Sequence, residues 1–336
     1  MDNGTQNGSR LLRRFGLPAL GIALSAAGLA YVYRGFDVGS FLSSTSNLHA
    51  LPLLGTLAAY WMGVVLLRSF LVRHLLSPVG RVPVFGAYRY ICIGFLANNV
   101  LPFRAGEMAR SAAIHRGTGI RFSSIVGGLA LERLLDMGMV AVIALMALRF
   151  APLPAAVRNA ALGTAVVVVA GLAVMFVLAR RTWREADASR GRVRALLWNT
   201  WVRFSAGLGA LARPQAIAVA ILLIGGVWAC ALLAMALRLE ALGITATPAL
   251  TLTLLTCLGF GVAVPSAPGY VGVYHAAAAF ALELHGIDHG TAGAFALFSW
   301  LVDVGMSSAM GAISLSFEGL RLKDLRQRNS IAPDRA

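Results

Sequence analysis

Apolar runs close to the ~20 residues a helix needs to cross a bilayer alternate with short arginine-bearing segments along all 336 residues. Six of these runs, 15–33, 51–67, 124–148, 160–178, 217–237 and 291–317, predict spanning helices. Two further stretches, 86–115 and 249–283, are apolar but interrupted. The first contains Asn98-Asn99-Val100-Leu101-Pro102-Phe103-Arg104-Ala105-Gly106-Glu107-Met108-Ala109-Arg110, and the second contains Val264-Pro265-Ser266-Ala267-Pro268-Gly269-Tyr270-Val271-Gly272. Proline cannot donate within a helix, and irregular backbone at membrane depth is tolerated only where it lines a cavity or is buried in protein. Each stretch therefore predicts two half-helices meeting at a break. The breaks lie 163 positions apart (265 − 102), and the helices that follow them begin 167 apart (291 − 124). Such a spacing predicts two similar halves.

Composition supports a chain that lives in the membrane. Hydrophobic residues make up 58% and charged residues 13%, against roughly 25% charged in ordinary soluble domains. The fold class expected is an all-α integral membrane protein, a multi-pass bundle with two broken or re-entrant helix pairs in an inverted repeat. The formal charge of +15 does not indicate nucleic acid, because the arginines gather between apolar runs as the positive-inside rule expects. Arg10, Arg13 and Arg14 set the start of the chain inside, and Arg68, Arg73, Arg81 and Arg89 the end of the second helix. The segment from Arg180 to Arg213 and the tail with Arg321, Lys323, Arg326 and Arg328 belong inside as well. On that count 86–115 enters and leaves from inside, and 249–283 from outside. The divisions expected are a cytoplasmic N-terminus over 1–14, a transmembrane domain over 15–317 with halves 15–148 and 160–317, and a basic cytoplasmic tail over 318–336. Cys92, Cys230 and Cys257 sit singly in apolar runs, which predicts inert thiols, no disulfide framework and no metal site.

The polar groups inside these runs are the candidate chemistry. A half-helix restarting after Pro102 would direct N–H groups and a positive dipole end into a cavity, beside Arg104 and Arg110. Asn98, Asn99, Arg104, Glu107 and Arg110 form the candidate phosphate-binding set, with Glu107 and Arg110 spaced to pair on one helical face. In the next helix Glu132 and Asp136 share a face with Arg133 between them; two acids in low dielectric need cationic partners or a shared proton. In the second break Pro268, Gly269 and Gly272 predict unwound backbone, and Tyr270, Tyr274 and His275 add polar groups. Asp303, one turn from Trp300, is the second-half counterpart of the acids, completing a buried network of Glu132, Arg133, Asp136 and Asp303. His285 and His289 around Asp288 are too sparse a pattern to predict a metal.

Three motifs in order resemble the lysylphosphatidylglycerol synthase transmembrane region, a flippase-like membrane family: Asn98 through Arg110, Glu132 through Asp136, and Pro265 through Gly272. The resemblance extends from about Leu51 to Phe317. It implies a lipid-handling membrane domain. The soluble aminoacyltransferase domain fused to some members has no counterpart here, so synthase activity is not implied. The pattern departs at His275, where many relatives carry glutamate, and at Trp300, near a position often held by arginine or histidine.

The expected function is translocation of an anionic phospholipid or lipid-linked saccharide between leaflets, with no cofactor and no nucleotide-binding loop. The alternatives are a membrane-embedded lipid-modifying transferase using Glu132, Asp136 or His275 as a base, and a non-catalytic partner of an envelope-biosynthesis complex. The partner expected is a membrane phospholipid or a polyprenyl-linked lipid, and the location a bacterial inner membrane with both termini cytoplasmic.

Overall fold

A computed structural model describes residues 21–34, 48–101, 105–151, 153–180, 192–264 and 266–318. Among them the chain is helical, with α1 over Gly21–Val32 and α2 over Ala50–Leu76. A first broken pair, α3 (Val84–Val100) and α4 (Gly106–Thr118), precedes α5 (Phe122–Ala147) and α6 (Ala155–Arg180). Then come α7 (Arg192–Gly207), α8 (Pro214–Ala241), a second broken pair, α9 (Pro248–Ala263) and α10 (Val273–Glu283), and α11 (His289–Phe317). Helices α2, α6, α8 and α11 are long and apolar enough to cross a membrane. Helix α5 is comparably long, but Glu132, Arg133 and Asp136 interrupt its apolar character. The chain is an all-α, multi-pass membrane protein.

The two broken pairs have their bases at opposite ends of the molecule. His74 near the end of α2 meets the carbonyl of Ala216 near the start of α8 at 2.8 Å. His49, at the start of α2, donates its backbone N–H to Ala241 at the end of α8 at 3.0 Å. Helices α2 and α8 are therefore antiparallel neighbours, close enough at Gly63 that a Cβ there would lie 2.5 Å from Cys230. The first pair begins and ends beside the last turn of α2, where Gly80 packs on Ile120. The second begins and ends beside the last turn of α8, where His285 meets Thr253 at 3.0 Å. Each pair also packs across the halves: α3 lies along α11, and α9 along α5.

Small residues and turns make these close approaches. Gly106 opens α4 against α3, where a Cβ would lie 2.1 Å from the carbonyl oxygen of Gly94. Gly272, with φ of 82°, turns the chain into α10, and a Cβ there would lie 2.0 Å from the Ser25 carbonyl of α1. The hydroxyl of Ser25 accepts the Ala267 N–H at 2.9 Å, so α1 braces the second break. Inside α2, Ala59–Val65 widens into a π-helical turn carrying Tyr60 and Trp61. Such turns appear mostly as local bulges in α-helices, frequently at functional sites.

Three expectations need correction. The second span does not stop at 67 but runs to Leu76, because Arg68 is enclosed by neighbouring helices rather than exposed at an end. Arg89 lies within α3 and bonds Glu318 at 2.7 Å, so these two arginines are not simply loop charges. The arginine-rich segment after α6 holds α7, which packs on α5 through Gly127 and Gly207. The expected residues 1–14 and 319–336 of the termini lie outside the described residues.

Candidate functional site

A continuous ion network joins α2, α4 and α5. Glu132 on α5 is buried and receives a two-pronged contact from Arg110 of α4, at 2.7 and 3.2 Å. Arg68 of α2 reaches the same carboxylate at 2.8 Å and also grips Asp136 with two bonds, at 2.7 and 2.9 Å. The indole N–H of Trp228 on α8 donates to Asp136 at 3.1 Å. At the outer edge Arg133 pairs with Glu107 and approaches Asp136 at 4.0 Å. Three arginines thus meet three carboxylates, Glu107, Glu132 and Asp136. That balance resolves the crowding of two acids one turn apart, since an unpaired buried carboxylate would be far more costly. Glu107 and Arg110 do not pair with each other as their spacing predicts: Arg110 turns inward to Glu132 while Glu107 reaches outward to Arg133.

A second cluster joins α8, α10 and α11. Arg238, 3% exposed, donates to Asp303 at 2.5 Å and to Ser299 at 3.0 Å. The Tyr274 hydroxyl of α10 meets both, each at 2.9 Å. Tyr60, from the π-helical turn of α2, lies in the electrostatic field of Asp303 and Arg238.

The two clusters occupy corresponding places in the two halves. Asp303 follows Asp136 by 167 positions (303 − 136), and Ser299 follows Glu132 by the same interval (299 − 132). The arginines are 170 apart (238 − 68), and Tyr274 follows Arg110 by 164 (274 − 110). Each aspartate stands 14 residues into its helix (136 − 122 and 303 − 289), about 21 Å along the axis. Each half thus repeats one arrangement: an arginine on a long helix, an aspartate on the closing helix, and a polar side chain from the second arm of the broken pair. Arg68, Arg238 and Trp228 were not among the candidates read from sequence. The interval that relates the prolines would not have found them, because it carries Arg68 to Ala231 (68 + 163), seven residues short of Arg238.

Other candidates shape the breaks. Asn98 Oδ1 accepts the first N–H of α4, at Gly106, at 2.9 Å. Asn99 donates to Ser307 at 2.8 Å and Ser308 at 3.0 Å on α11. Both amides are therefore engaged within the fold. Pro268–Tyr270 forms a short 3₁₀ turn with Gly269 at φ 68° and Tyr270 at φ 58°. The Gly269 carbonyl accepts the Trp300 indole N–H at 2.7 Å. His275 is 2% exposed, and its Nδ1 accepts the Gly272 N–H at 3.2 Å, which leaves that nitrogen without a proton. Pro102, Phe103, Arg104 and Pro265 lie outside the described residues. Among the described residues no group of three or more histidine, cysteine or acidic side chains is placed to hold a metal. Cys92, Cys230 and Cys257 are free. Asp288 instead caps α11, accepting the Thr291 N–H at 3.0 Å.

A search of curated proteins and of solved structures finds no match. The model of the lysylphosphatidylglycerol synthase TM region matches residues 19–311, which span both broken pairs and both ion clusters, and the chain belongs to that family.

Proposed function

We propose that this protein moves an amphipathic lipid with an anionic headgroup, a phospholipid or a lipid-linked saccharide, between the leaflets of a bacterial cytoplasmic membrane. The observation that carries this reading is the repeated arginine–carboxylate clasp, one in each half, beside broken helix pairs whose bases lie at opposite ends. Paired halves and discontinuous helices near the midplane are the recurring means by which carriers present one site to two sides.

The clasp chemistry suits a phosphate. Arg68 and Arg110 already bind carboxylates through two-pronged contacts, and guanidinium matches phosphate oxygens in the same geometry. A headgroup exchanges with Glu132 or Asp136, and the displaced carboxylate takes up a proton. Neither an arginine nor a carboxylate is then left as an unpaired charge in low dielectric, where breaking a buried pair costs on the order of 3–5 kcal/mol. In this scheme Arg110 and Arg68 hold phosphate, Arg104 assists from the break, and Glu107 with Arg133 steadies the rim. Asn98 and Asn99 fix the first break, while Pro268, Gly269, Gly272 and His275 form the opposing gate. Arg238 and Asp303 act in the second half. Both chain termini face the cytoplasm.

The test is reconstitution of the full chain into vesicles carrying tail-labelled phosphatidylglycerol or phosphatidylcholine, with and without a pH gradient. Bleaching of the outer leaflet reads lipid movement. Phosphatidylglycerol should exchange faster than in protein-free vesicles, and Arg110→Gln should remove most of that gain. Exchange equal to protein-free vesicles under both conditions would overturn the reading. Recovery of a chemically altered lipid would instead favour a lipid-modifying enzyme.

A further inference from the structure

A cavity of about 860 Å³ lies away from both ion clusters, at the end of the molecule where α2 stops and α8 starts. Its volume falls within the roughly 300–1,000 Å³ of ordinary ligand pockets. Its lining divides in two. Arg73, His74, Ser77 and Arg81 supply the polar part, and Phe70, Val82, Val219 and Leu223 belong to the apolar part. No acidic residue is among the described residues that line it. Among the described residues neither Arg73 nor Arg81 makes an ion pair. Both are exposed, as are Phe70, Ser77 and Val219. The imidazole of His74 is committed to Ala216, so the arginines are the charges offered to a ligand.

We propose that this cavity is a second lipid site, holding the phosphate of an anionic phospholipid between Arg73 and Arg81 while an acyl chain lies over Phe70, Val219 and Leu223. A free soluble anion would use the two guanidinium groups but leave the apolar wall exposed to water. A zwitterionic lipid would cover the wall but carries a cation into a region that already holds two. The anionic phospholipid satisfies both parts. Basic pockets between membrane helices at their headgroup ends are suited to such lipids. Arg73 stands five residues beyond Arg68, about 7.5 Å further along α2, which separates this site from the buried clasp. The proposal is one of binding and does not depend on lipid movement.

The test uses the full chain with Ser77→Cys, reconstituted in nanodiscs of phosphatidylcholine alone or phosphatidylcholine with phosphatidylglycerol. The parent protein supplies the background from its own three cysteines. Maleimide labelling at position 77 should be slower in the phosphatidylglycerol discs. The ratio of the two rates should return towards one when Arg73→Gln and Arg81→Gln are added, each weakening lipid affinity roughly fivefold. Both arginines are exposed, so the variant should keep its melting temperature, and that is measured alongside. Equal rates in the two discs would overturn the proposal, as would a difference that survives in the double variant. Protection of detergent-solubilised protein by inorganic phosphate alone, as strong as by the lipid, would also overturn it by assigning the site to a free anion. Lipid exchange by Arg73→Gln/Arg81→Gln is measured separately, so a failed site and a failed transport reading give different results.

Discussion

At the scale of single residues, burial separates two kinds of arginine that look alike in the sequence. Arg68 has a side chain 12% exposed and serves two carboxylates; Arg133, 54% exposed, bonds at the edge of the same network. Exposed ion pairs contribute roughly 0–1 kcal/mol, whereas removing one partner of a buried pair costs on the order of 3–5 kcal/mol. Arg68→Gln should therefore lower the melting temperature in detergent clearly more than Arg133→Gln, and equal shifts would contradict the burial argument. Arg238→Gln should resemble Arg68→Gln, since it leaves Asp303 without its guanidinium. The need of Glu132 and Asp136 for cations was legible from their spacing in an apolar helix. Arg68 as the partner was not, because an arginine near the end of an apolar run reads equally well as a topology signal. Only the packing of α2 on α5 distinguishes the two.

At the scale of elements, the broken helices were legible because proline, glycine and asparagine interrupt apolar runs at a repeated interval. Their bracing was not legible: nothing local to Gly272 announces that Ser25 lies against it. Gly272→Ala combines a left-handed backbone, φ 82°, with a Cβ 2.0 Å from a backbone oxygen. It should destabilise the protein strongly. Gly163→Ala in α6 meets nothing within 4 Å and should be neutral or stabilising by roughly 0.5–1 kcal/mol. Thermal unfolding of the two variants checks the contrast. The start of α11 offers a pH test outside the spanning segment. The backbone and hydroxyl of Thr291 hold the Asp288 carboxyl below the usual carboxylate range. A depressed folded value means that the cap stabilises above the unfolded value of about 4 and is lost as pH falls through the lower folded value. Amide exchange at Thr291 should therefore show added fraying in strong acid in the wild type. Asp288→Asn keeps the cap and should abolish that dependence. Helix α7 escaped the sequence reading for a related reason: arginines among its apolar residues suit a loop as well as a helix lying on α5.

At the scale of the whole molecule, the inverted arrangement rests on contacts rather than on charge counting. Antiparallel α2 and α8 place the base of the first broken pair beside Ser77 and Gly119, and that of the second beside Gly243 and Gly286. Gly119, Gly243 and Gly286 have open space around an added Cβ, and Ser77 is exposed, so cysteines at all four should react without disturbing packing. Their positive φ makes the three glycine positions mildly strained as cysteines, and melting temperature screens for any that fail to fold. In sealed cells a membrane-impermeant maleimide should separate the four positions into two pairs, Ser77→Cys with Gly119→Cys and Gly243→Cys with Gly286→Cys. The positive-inside rule assigns the first pair to the cytoplasm, because Arg73, Arg81, Arg116 and Arg121 surround it. The impermeant reagent should therefore reach the second pair directly and the first only after permeabilisation. The opposite assignment would preserve the inverted architecture and reverse the orientation. Labelling of all four from one side would break the architecture itself, since two broken pairs opening to the same face could not alternate a headgroup between leaflets.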